Sequence, residues 1–131
     1  MPEQLLIENC SPTLAGMKPS NLISLPYPDL MQARADIREM NRIFVQKGLR
    51  AVPMNYRKGR VLLYLYRPKL LERDLRDPLS KKLLSECGYT CEDANACLAR
   101  LISRLRTEED FPHEVGLFLG YPPADVDGFM H

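Results

Sequence analysis

The chain has 131 residues, 45% of them hydrophobic, four cysteines and a formal net charge of +1. That length suits one domain burying roughly two thirds of its unfolded surface, and the near-zero charge removes any global electrostatic case for nucleic acid or membrane binding. The charge is unevenly spread: residues 34 to 76 carry twelve basic side chains against four acidic ones, and the remainder is acidic.

At the N-terminus, acids stand where a secretory signal needs a basic region, and the apolar run Leu5-Leu6-Ile7 is short. No segment approaches the roughly 20 apolar residues of a membrane span. The expectation is a cytoplasmic protein with no membrane partner and with reduced thiols. Ser11-Pro12 after Cys10 is a good N-cap and N1 pair, which would set the Cys10 thiol at the positive end of a short helix and favour the thiolate. A buried apolar cysteine is the plainer reading.

Asn21 to Leu25, closed by Pro26 and Pro28, reads as a strand. Asp29 to Lys47 reads as an amphipathic helix, because Leu30, Ala33, Ile37, Met40 and Phe44 recur at steps of three and four. Asp29 supplies its N-cap and Gly48 its left-handed end. Leu49 to Tyr56 and Val61 to Tyr66 flank Arg57-Lys58-Gly59-Arg60, predicting a β-hairpin of the longer-loop kind. Pro53 cannot donate to a ladder, so its strand belongs at an edge or carries a bulge. Val61 to Tyr66 is continuously apolar, as a strand covered on both faces is.

Pro68 begins a helix and Asp77-Pro78 restarts it, giving two short pieces that end at Gly88. Cys91 to Arg106 follows as a second amphipathic helix, with Thr90 as N-cap, Asp93 in capping-box position, and Ala94, Leu98, Leu101, Ile102 and Leu105 on one face. Phe111 to Leu119 then forms a helix, Gly120 a turn, and Pro122-Pro123 the start of a last helix. The fold class is therefore α+β: a small antiparallel sheet of about three strands packed with several helices, a C-terminal helical hairpin, and a single domain over residues 1–131.

Three groups of side chains could carry chemistry. His113, beside Glu114, could act as a general base or metal ligand; paired with Cys10 it would make a thiol/histidine site oriented by Glu114, provided the two meet across the fold. The alternative is a histidine that serves only the start of its helix. Cys87, Cys91 and Cys97 lack a Cys-x-x-Cys pair or a neighbouring histidine, so no metal site is expected. Arg57, Lys58, Arg60 and Arg67, with Tyr56, Tyr64 and Tyr66 nearby, could bind an anion or stack on a ring. Against that stands a solvated hairpin tip and helix faces paired with acids elsewhere.

Gly116, Gly120 and Val126 have the spacing of a helix-turn-helix unit, with Val115, Leu119, Tyr121 and Phe129 in its other apolar slots. Its second helix offers Asp125 and Asp127 where a DNA reader needs cations or amides, so nucleic acid is disfavoured and the unit reads as packing.

Cys10 to Gly16 with Lys18-Pro19, Leu65-Tyr66-Arg67-Pro68, and Phe111 through Pro122 together resemble the bacterial domain-of-unknown-function family numbered 3793, over essentially the whole chain. The resemblance implies a small cytosolic protein of mostly anaerobic Gram-positive bacteria. It supplies no established activity, cofactor or catalytic residue, and it implies a further glycine- and aromatic-containing segment beyond Gly128-Phe129. Two functional readings lead, with DNA binding through the helix-turn-helix-like unit standing third. The first is a non-catalytic binding or accessory protein, with a redox-linked role as one form of it, recognising a protein partner or small anionic ligand through the basic hairpin. The second is an enzyme or metal-binding protein using Cys10, His113 and Glu114.

Overall fold

Val61 to Tyr66, the most continuously apolar run, lies in the central strand of a three-stranded antiparallel sheet ordered β1-β3-β2. Here β1 is Ser20–Pro26, β2 is Arg50–Arg57 and β3 is Arg60–Tyr66. The structure, a computed structural model, describes residues 20–90, 92–107 and 111–131. Strand β1 pairs with β3 from Ser20 opposite Tyr66 to Pro26 opposite Arg60. Strand β2 pairs with the other side of β3, with a register shift between Pro53 and Asn55. Pro53 thus sits on an edge strand and at a bulge, where its missing N–H interrupts no central ladder.

The hairpin differs from its expected form. Arg57 pairs with Arg60, leaving a two-residue turn of Lys58 and Gly59. Their φ values are 53° and 73°, the doubly left-handed backbone of a type I′ turn, whose twist matches that of the strands. Glycine meets this demand freely, whereas Lys58 is held there by the strands on either side.

Helix α1 (Leu30–Phe44) continues as a 3-10 turn over Val45–Lys47 and ends at Gly48, which is left-handed at φ 76°. Asp29 caps it, its carboxylate accepting from the Gln32 N–H at 2.7 Å. The apolar stripe Ala33, Ile37 and Met40 joins Ile23, Leu25, Ala51, Val61, Leu63 and Leu65 in one hydrophobic core. Strand side chains alternate, so Tyr64 and Tyr66 point to the opposite sheet face, where they are buried and stacked with ring centres 4.8 Å apart. At the outer edge of β2, the Asn41 amide accepts from the Ala51 N–H at 2.8 Å and donates to the Ala51 carbonyl at 2.9 Å.

The chain divides after Pro68 into two compact units. The second holds α2 (Pro68–Leu75) from its second residue on, then α3 (Pro78–Glu86), α4 (Ala94–Thr107), α5 (Val115–Phe118) and α6 (Pro123–Met130). Asp77 caps α3 through the N–H groups of Leu79 and Ser80, and Gly88 ends it as expected. Helix α4 starts three residues later than predicted. Asp93 itself is the N-cap, accepting from the Ala96 N–H at 2.8 Å, and a carboxylate outranks the Thr90 hydroxyl in that role.

The predicted helix over 111–119 shrinks to Val115–Phe118. Gly120, at φ 82°, closes it, and the Tyr121 N–H returns to the Gly116 carbonyl at 3.0 Å, the bond that satisfies orphan carbonyls at a helix end. A Cβ on Gly116 would lie 3.0 Å from both Val126 Cγ2 and Tyr121 Cδ2. The helix-turn-helix spacing therefore serves close packing of the hairpin.

The Tyr27 hydroxyl donates to Asp36 at 3.0 Å. Burial, reinforced by that carboxylate, pushes its pKa up to about 12. The folded state favours neutral Tyr27, so its contribution to stability is intact below about pH 10, where an unfolded tyrosine titrates, and is lost as pH rises through the folded value. Unfolding free energies measured across that alkaline range should fall less steeply for Tyr27→Phe than for the parent chain. Some loss should persist, because burial raises the Tyr89 pKa too.

Candidate functional site

The basic hairpin spends much of its charge on its own fold. Arg60 donates to the Ser24 hydroxyl at 2.7 Å and, from its terminal nitrogen, to the Ser24 carbonyl at 2.9 Å, which pins β3 to β1. Arg67 donates to the Lys47 carbonyl at 3.1 Å, fastening the chain after β3 to the end of α1. Arg57 and Lys58 are exposed at the tip, and the tip is docked, since the Gly59 carbonyl accepts from the Tyr27 N–H at 3.0 Å.

Cys10 lies outside the described residues, so the structure does not report on its meeting with His113. His113 is exposed and Glu114 is buried, only 3% accessible. The Glu114 carboxylate accepts from the Tyr89 hydroxyl at 3.2 Å and forms an ion pair with the Arg104 guanidinium. These contacts join α4, the segment after α3 and the residues leading into α5. The expected orienter of His113 is thus engaged by Arg104 and Tyr89. Sequence reasoning missed the cluster because its members stand 10 and 25 residues from Glu114, on elements whose packing no local pattern reveals.

Burial and the nearby Glu114 carboxylate push the Cys87 thiol up, against a smaller opposing effect of Arg104. Cys87 is a free cysteine held in its less reactive protonated form. Cys97 is disulfide-bonded, which corrects the expectation of reduced thiols for this residue. Among the described residues, no three His, Cys, Asp or Glu side chains gather to hold a metal ion. Nor is any helix among them long and apolar enough to cross a membrane.

The outer face of α1 is a different kind of surface. At 100° per residue, Arg34, Arg38, Arg42, Met31, Ala35 and Val45 fall within an arc of roughly 100° that faces away from the buried stripe. All six are exposed, Met31 by 81% and Val45 by 61%. Arg42 stands 3.7 Å from Glu39 in an open ion pair of little energetic value. Arg34 and Arg38 make no ion pair or side-chain hydrogen bond among the described residues. The sequence signal for this face was its arginine spacing of four.

Removing one member of a buried ion pair strands the other. Arg104→Met should therefore destabilise the protein by about 3 kcal/mol in urea unfolding, and adding Glu114→Leu should recover much of that loss. Glu114→Gln removes a charge that holds the Cys87 thiol protonated. Peptide-resolved alkylation of the native variant near neutral pH should then modify Cys87 faster than in the parent chain.

The comparisons with known proteins are consistent with the resemblance seen in the sequence. No curated protein and no solved structure matches the chain. A family model described as protein of unknown function (DUF3793) matches residues 6–131, and the chain belongs to that family.

Proposed function

We propose that this protein is a non-catalytic binding or accessory protein of the cytoplasm that docks an acidic protein partner along the outer face of α1. The observation that carries this reading is the exposed stripe of Arg34, Arg38 and Arg42 flanked by Met31 and Val45. Four residues of helix advance about 6 Å. The three guanidinium groups therefore match carboxylates repeated every four residues on a partner helix, and arginine's planar fork suits carboxylates. Met31 and Val45 favour a protein over a polyphosphate, because exposed apolar area gains nothing against a sugar-phosphate backbone but packs on an apolar stripe. The hairpin cations play the smaller part here, since Arg60 and Arg67 already serve the fold.

The reading is tested with a synthetic helical peptide bearing glutamates at four-residue spacing between leucines, titrated at low and high salt. Arg34→Glu with Arg38→Glu should weaken binding roughly tenfold or more. Folding stability should change little, because both sites are exposed. Charge reversal at Arg57 and Lys58 should leave binding almost unchanged. An equal loss from the hairpin variant, or a preference for duplex DNA or anionic vesicles over the peptide, would sink the proposal.

A further inference from the structure

The second unit contains a cleft of about 570 Å³, within the size range of small-molecule sites. Its lining includes Leu75, Leu84 and Tyr89, all buried, with Ala94 at the first turn of α4. Charged groups on its wall come from three places: Glu72 of α2 with Arg76 just after it, Lys81 from α3, and Glu92 and Asp93 just before α4.

Three of these five groups already have work. Arg76 and Glu72 form an ion pair with each other, and Asp93 caps α4. Lys81 and Glu92 make no ion pair or side-chain hydrogen bond among the described residues. The cleft therefore offers one uncommitted cation, one uncommitted anion and an apolar wall.

From this juxtaposition we infer that the cleft binds a small zwitterion with an apolar body, its anionic group meeting Lys81 and its ammonium group meeting Glu92. A simple anion fits poorly, because three carboxylates line the cleft against two cations. A simple amine leaves Lys81 facing it unmatched. The apolar body packs on Leu75, Leu84 and the Tyr89 ring. A free amino acid with a branched side chain and a short apolar peptide share this chemistry. They differ in the distance between their charges. The site is independent of the α1 face and does not rest on the reading proposed above.

The test titrates the full chain with L-leucine and with the dipeptide leucyl-leucine, read by chemical-shift perturbation and calorimetry. Isoamylamine and 4-methylpentanoate, each lacking one charge, are the controls. At least one zwitterion should bind about fivefold tighter than either control, and whichever of the two binds better identifies the source. Lys81→Ala and Glu92→Gln should each lower affinity towards that of a control. Ala94→Phe, which fills the cleft from a partly exposed position, should abolish binding, with thermal unfolding showing that the fold persists. Absence of zwitterion binding, controls that bind equally well, or full binding by a folded Ala94→Phe chain would each overturn the inference.

Discussion

The paired hydrogen bonds between the Asn41 amide and the Ala51 backbone set the geometry on which the first unit depends. They satisfy an N–H and a carbonyl that an edge strand would otherwise present to solvent or to another strand. They also fix the rotation of α1 about its axis. In the observed setting Ala33, Ile37 and Met40 enter the core, and the arginines face outward. A rotation by one residue, about 100°, would turn Arg34 and Arg38 towards the sheet, where unpaired charge is costly. Two amide bonds contribute only about 1 kcal/mol each, and the hydrophobic stripe supplies more. What the bonds add is a single setting of the helix against β2.

The basic middle third divides into two populations by what each cation touches. Arg60 and Arg67 bind backbone or hydroxyl oxygens within the first unit, and their charge assists contacts that hold strands and helix ends together. Arg34 and Arg38 have no such partner among the described residues. A similar separation holds in the second unit. Glu114 is buried and bound by Arg104 and Tyr89, whereas Lys81 and Glu92, on a cleft wall, have no ion pair or side-chain hydrogen bond among the described residues. Charges engaged within each unit fix particular contacts between its elements, and the remaining ones are where recognition can act.

Much of the fold was legible because it is written in local chemistry. Asp29 and Gly48 bracket α1, Asp77-Pro78 and Gly88 bracket α3, and Pro53 marks an edge strand with a bulge, each through constraints that act within a few residues. The errors were local competitions decided by finer energetics: Asp93 over Thr90 as a cap, and a two-residue turn over a longer one. The first helix of the C-terminal hairpin was overestimated because Pro112 reads as a helix start, whereas His113 and Glu114 after it fold as turn and the helix begins at Val115. The Asn41–Ala51 pair and the Glu114 cluster were invisible, since each joins elements whose approach only packing determines. The arginine spacing of α1 could be read in advance, but which of its arginines would stand without an ion pair among the described residues, Arg34 and Arg38, could not.

The most direct test of this account is amide hydrogen exchange at Ala51. In the parent chain its N–H, bonded to Asn41 on the outer edge of β2, should exchange as slowly as the amides of central strand β3. In Asn41→Ala it should exchange far faster while the β3 amides keep their protection. Equal Ala51 protection in the two proteins would contradict the claim that Asn41 holds α1 against the edge of the sheet.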